Sequence, residues 1–137
     1  YALFIQETGL GRIRPGADVR LSFPGEYGTL LEHIRVHRWF LSQERSAEIP
    51  YEEAVASWHD HVYMPLVRII REHRILDEFP GRTEADLYLW IIEHLWYLRE
   101  AGAEVPLEQA ADGFAQAYSR RLLTKLKNLM RRRERSR

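Results

Sequence analysis

Residues Arg82 to Gly102 read RTEADLYLWIIEHLWYLREAG, and this stretch decides the fold. Thr83 is placed to cap a helix, and Asp86 three residues on supplies the carboxylate variant of a capping box. Glu84 and Asp86 in the first turn and Arg99 in the last suit the helix dipole at both ends, and Gly102 supplies the stop. At 100° per residue, Leu87, Tyr88, Ile91, Ile92, Leu95, Trp96 and Leu98 cover well over half of the circumference. Asp86, Glu93, Tyr97 and Glu100 share the remaining strip. A helix this apolar is a central one, with other helices packed on most of its faces.

Working outward, Phe114 and its neighbours follow Pro106 in a further helix (Leu107, Ala110, Ala111, Phe114, Tyr118), weakened at Gly113 by about 1 kcal/mol relative to Ala. A narrower stripe of Leu122, Leu123, Leu126, Leu129 and Met130 continues it. Before the central helix, Ile75–Arg82 reads as a loop with Pro80-Gly81 at its tip and Leu76 and Phe79 turned inward. Upstream of it, Pro50 suits the first position of a helix that buries Tyr51, Ala54, Val55, Trp58 and Val62. Pro65 removes one helical hydrogen bond, which predicts a kink or break near Tyr63-Met64, with Leu66, Val67, Ile69 and Ile70 continuing to about Arg74. Thr29-Leu30-Leu31-Glu32 has the form of a capping box, predicting a helix from Leu30 to about Glu44 with Leu30, Ile34, His37 and Leu41 on one stripe. Residues 11–28 are the least helical part: Pro15-Gly16 and Pro24-Gly25 punctuate it, and Val19, Leu21 and Phe23 alternate with Arg20 and Ser22. One short strand cannot stand alone, so this stretch either pairs elsewhere or lies as an extended arm across the helices. Tyr1–Gly9 reads as a short helix stopped by Gly9. The expected architecture is all-α, a five- to six-helix bundle-like domain with an irregular N-terminal arm. Its expected parts are 1–28, an arm or linker from a preceding domain; 29–118, a helical core; and 119–137, a basic amphipathic helix.

At 137 residues one domain is the default, and 45% hydrophobic with 29% charged residues is an ordinary globular composition. The absence of cysteine removes disulfides, a thiolate nucleophile and cysteine-based zinc sites, and agrees with a cytoplasmic protein. No apolar run approaches the ~18 residues of a membrane helix, so no membrane partner is expected. The sequence opens on Tyr1 in mid-pattern, which suggests an upstream domain. The net charge of zero conceals an asymmetry: residues 119–137 carry nine Arg or Lys against Glu134, a balance of +8 that leaves −8 on residues 1–118.

The histidines invite chemical readings. His33 and His37 are four apart on one helix, the spacing at which two imidazoles face one ion, and His59 with Asp60 forms a His-Asp doublet. Together they make a candidate metal-dependent hydrolase site. The doublet lacks the Gly-Lys turn and later helical Asp of the H…HD…D phosphohydrolases. Glu32 precedes His33 instead of lying between the two imidazoles, and no Glu-x-x-His pair exists for a dinuclear carboxylate centre. No nucleophile elbow and no glycine-rich phosphate loop is present. No cofactor is expected. His94 on the central helix, Asp60 and Arg82 read instead as members of buried polar links.

The C-terminal run SRRLLTKLKNLMRRRERSR sets Arg120, Arg121, Lys125, Lys127, Arg131, Arg132 and Arg133 around a Leu/Met stripe, a cationic amphipathic helix. Such a helix neutralises nucleic-acid phosphates, lies on an acidic membrane, or docks on the acidic body of its own or a neighbouring subunit. It carries no aromatic residue, which argues against single-strand stacking.

Four segments also have a family look. LGRIRPGADVRLSFPGEYG (10–28), LLEHIRVH (30–37), YEEAVASWHDHVYMP (51–65) and FPGRTEADLYLW (79–90) resemble the helical region downstream of a ParB-like (partition-protein, nuclease-type) N-terminal domain in bacterial proteins. The shared phrases are structural, with no catalytic signature, no ParB-like basic motif and no helix-turn-helix. The resemblance implies an upstream domain related to DNA-partition proteins and a DNA-associated or regulatory role. The functional expectation is a non-enzymatic module that assists DNA binding through Arg120–Arg135, with a homo-oligomerisation domain as its rival and a hydrolase third.

Overall fold

The computed structural model describes residues 1–135, and the side chains of residues 1–119, 131 and 132. The fold is all-α. Helices α1 (Ala2–Thr8) and α2 (Leu10–Ile13) lead through an extended arm to α3 (Tyr27–Arg45), followed by α4 (Tyr51–Trp58), α5 (Met64–Glu72), α6 (Glu84–Glu100) and α7 (Leu107–Arg135). There is no strand among the described residues.

Helix α6 is the centre, as its composition requires. Ala85, Asp86, Leu87, Tyr88, Leu89, Ile91, Ile92 and Leu95 are all buried along it. At its start Thr83 Oγ1 accepts from the Asp86 N–H at 3.1 Å while an Asp86 carboxylate oxygen accepts from the Thr83 N–H at 3.0 Å. At its end Ala103 N–H reaches Leu98 C=O and Gly102 N–H reaches Arg99 C=O, both at 3.0 Å. This closure needs the left-handed φ of 87° that Gly102 provides. One expectation fails here. Asp86 does not share the solvent strip; it is 1% exposed, because its carboxylate also holds the N-terminal arm.

That arm is the extended crossing segment, not a paired strand. Val19 and Leu21 are buried in the main core while Arg20 and Ser22 are exposed, the alternation of an extended chain laid on helices; Phe23 does not continue it inward, being 40% exposed with its ring against Trp90. Phe4 and Leu10 join the same core, which makes residues 1–28 an integral layer of this fold.

The start of α3 also differs from expectation. Pro24 opens a 3₁₀ turn (Pro24–Glu26) that runs directly into α3 at Tyr27, so Thr29 already lies inside the helix. Its hydroxyl then bonds back to Glu26 at 3.1 Å instead of capping.

Pro65 acts where its chemistry predicts, by a route the sequence did not specify. Helix α4 passes into α5 through a π-helical turn, His59–Tyr63, in which the Met64 N–H bonds to His59 C=O five residues back. The wider turn accommodates a proline ring that would press on the carbonyl four residues earlier, and it keeps Trp58 and Tyr63 both buried. Helix α3 packs on α4, α5 on α6, and α7 on α5 and α6. No helix among the described residues is long and apolar enough to cross a membrane.

Candidate functional site

Three polar assemblies and one cationic helix are where chemistry concentrates. The first assembly lies at the centre. Trp58 Nε1–H donates to Tyr88 Oη at 3.0 Å, and Tyr88 Oη lies 3.0 Å from His33 Nδ1. The Tyr88 hydroxyl accepts from the Trp58 indole, and among the described residues His33 Nδ1 is the one acceptor in reach of its own proton, so it donates to His33. His33 is therefore neutral, with its proton on Nε2. Burial pulls its pKa down to about 4. Trp58, Tyr63 and Tyr88 contact one another ring to ring around this chain, and Trp96 lies 4.7 Å from the His33 ring.

The second assembly straddles the π turn. Arg14 donates from Nε and Nη2 to the Asp60 carboxylate at 3.0 and 2.6 Å, and His59 Nδ1 lies 3.0 Å from Asp60 Oδ1. Hydrogen bonds from Arg14 and then His59 hold the Asp60 carboxyl well below the usual carboxylate range. Both Asp60 oxygens are thus spent on a guanidinium and an imidazole.

The third assembly ties the arm to α6. Ser22 N–H and Oγ donate to Asp86 at 2.9 and 2.6 Å, and Arg82 donates to Ser22 Oγ at 3.2 Å. The Arg82 guanidinium lies 4.5 Å from the Phe23 ring centroid and 5.6 Å from that of Trp90.

The candidate residues distribute over these assemblies as follows. His37 does not join His33 at a common point: its Nε2 lies 2.8 Å from Ser57 Oγ on α4. His33 faces Tyr88 and His59 faces Asp60, and no group of three His, Asp or Glu side chains among the described residues could hold a metal ion. Of the three side chains expected in buried polar links, Arg82 is exposed, Asp60 is partly exposed, and His94 is half-buried with its ring against Phe114 and Tyr118. Among the described residues the fully buried carboxylate is Asp86. The sequence offered its cap position as a signal, but nothing local pointed to Ser22, 64 residues away.

Of the cationic residues, Arg131 and Arg132 are exposed on α7. The side chains of Arg120, Arg121, Lys125, Lys127 and Arg133 lie outside the described residues. The helix that carries them is anchored by its first half, where Ala110, Ala111, Phe114 and Ala115 are buried and Asp112 lies 2.7 Å from His73, just past the end of α5. Comparison of the chain with protein-family models, curated proteins and solved structures found no match.

Proposed function

We propose that this chain is a helical accessory module that binds the phosphate backbone of duplex nucleic acid through the C-terminal half of α7, in the setting of a ParB-like protein whose other domain supplies sequence choice. The observation that carries the reading is the continuity of α7. One helix runs from Leu107 to Arg135, and its first half is fixed in the core. The cationic positions thus share one rod with a rooted base, instead of being strung along a coil.

The register of that rod favours a phosphate-facing edge. At 100° per residue, positions 120, 121, 125, 127, 131, 132 and 135, all Arg or Lys, fall within ~160° of arc. Positions 122, 123, 126, 129 and 130, all Leu or Met, fall in a separate arc of ~120°, with position 133 as the lone cation among them. Residues 120–135 span ~24 Å at 1.5 Å per residue. Duplex DNA presents one negative charge per ~1.7 Å of axis, so several phosphates come within reach of one edge. The body supports the same division of labour: its acids leave it at −8, so phosphate is drawn to the helix and repelled elsewhere.

The test is binding of a labelled duplex of arbitrary sequence by the full chain and by Arg131→Glu/Arg132→Glu. Both positions are solvent-exposed, so the variant leaves the core intact. Binding that weakens by at least tenfold in the variant supports the reading, and equal binding by both proteins overturns it.

A further inference from the structure

We propose that Tyr88 is a redox-active tyrosine, reversibly oxidised to a neutral phenoxyl radical by one-electron oxidants that meet the protein at Trp96. Such a site needs a base in line with the phenol proton, shelter from water, and a route for the electron to the surface. Named groups meet all three needs, and none of them belongs to the cationic half of α7.

The base is His33. Its Nδ1 lies 3.0 Å from Tyr88 Oη and carries no proton, so the phenol and its acceptor are already joined. A phenol that has lost an electron is a far stronger acid than any imidazolium, so even a base weakened by burial takes its proton. Oxidation calls for no rearrangement. Reduced Tyr88 accepts from Trp58 Nε1 at 3.0 Å and donates to His33; the phenoxyl oxygen accepts from both. Every group is therefore hydrogen-bonded before and after. Tyr63 is the contrast within the same core: it too is buried, but its hydroxyl donates at 2.8 Å to the Asp18 carbonyl, which cannot take the proton.

Tyr88 and Trp58 are fully buried, which keeps the radical from water and from a second phenoxyl with which it would couple. The route outward is a short stack of rings. The His33 ring lies 5.6 Å from that of Tyr88, Trp96 lies 4.7 Å from His33, and Trp96 is 41% exposed. A one-electron oxidant takes an electron from the Trp96 indole and is reduced by it; Trp96 is refilled from Tyr88. As that electron leaves, the Tyr88 O–H bond breaks and the proton crosses to His33 Nδ1. The products are a neutral phenoxyl, an imidazolium and the reduced oxidant. A one-electron reductant at Trp96 reverses the step, and the proton returns because His33 holds it weakly.

The experiment is flash photolysis of the full chain with photogenerated tris(bipyridine)ruthenium(III) as the oxidant, read by transient absorption and electron paramagnetic resonance. The parent is compared with Tyr88→Phe, Tyr63→Phe, His33→Gln and Trp96→Phe. Circular dichroism verifies folding, and Trp96→Phe, at an exposed position, keeps the test decisive if a core variant fails to fold. Exposed Tyr97 contributes only a short-lived signal, because surface phenoxyls meet and couple. The expected parent signal has a long-lived phenoxyl component that forms more slowly in heavy water. That component is lost in Tyr88→Phe and His33→Gln, forms more slowly in Trp96→Phe and persists in Tyr63→Phe. A parent without it overturns the proposal, as does a component that survives Tyr88→Phe or His33→Gln or forms at the parent rate in Trp96→Phe.

Discussion

Replacing Tyr88 by Phe removes one oxygen from the centre of the protein and strands two partners at once. Trp58 and Tyr88 are fully buried and His33 is 5% exposed, so neither the indole N–H nor His33 Nδ1 has water to turn to. An orphaned buried donor or acceptor costs roughly 1–3 kcal/mol, and the lost hydroxyl returns part of this because Phe is easier to bury than Tyr. The balance is a destabilisation of about 2–4 kcal/mol, with ring packing kept. In urea, with a slope of about 2 kcal/mol per molar, the midpoint falls by about 1–2 M. The geometry makes a second demand. In a Trp58→Phe background the indole donor is already gone, so the added cost of Tyr88→Phe shrinks to the His33 share alone. A Tyr88→Phe midpoint within about 0.25 M of the parent would refute the chain of hydrogen bonds, since at that slope it equals a cost below about 0.5 kcal/mol. Full additivity with Trp58→Phe would refute it independently.

Further outcomes follow from the other assemblies. His33 has a folded pKa of about 4, below the ordinary 6.5, so the unfolded chain takes up its proton first. Stability from this group is complete above pH 6.5 and is lost as pH falls toward 4, by on the order of 3 kcal/mol at the lower end, and His33→Gln flattens that part of a pH series of urea midpoints. Asp86→Ala removes the carboxylate half of the α6 capping box and frees two part-buried N–H groups, at Thr83 and Ser22, costing about 1–3 kcal/mol. It also releases the N-terminal arm, measured as faster proteolysis within residues 15–23 than in a Thr83→Ala control. Arg14→Ala returns the Asp60 carboxyl toward the ordinary carboxylate range, which an NMR pH titration of its side-chain carbon reads directly. Because that pair is well exposed, the change in stability stays within about 1 kcal/mol.

What could be read from the sequence was what local chemistry decides. The limits of α6 follow from Thr83, Asp86 and Gly102, each acting within a turn of its own position. Gly9, with φ 69°, ends α1 for the same local reason. Pro65 announced a disturbance, but choosing a π turn over a break depended on keeping both Trp58 and Tyr63 in the core, a tertiary demand. The start of α3 went astray because Thr29-x-x-Glu32 is a sound local signal overridden by the turn that Pro24 sets up three residues earlier. The polar assemblies were hidden for a different reason. Arg14 meets Asp60 across 46 positions and Ser22 meets Asp86 across 64, and no periodicity connects them. The histidines at 33 and 37 share a helix face by spacing, yet they part because Tyr88 and Ser57 stand on different neighbouring helices. The charge division between body and C-terminal segment was legible at once, since it depends on composition alone.

The most direct test of the central claim is a salt titration of duplex DNA binding by the full chain. If the cationic edge of α7 contacts about four to six phosphates, binding is measurable at low salt and log K falls against log salt with a slope of about −4 to −5. Arg131→Glu/Arg132→Glu lowers the slope by about two units. Absence of binding at low salt, or a slope near zero, contradicts the account.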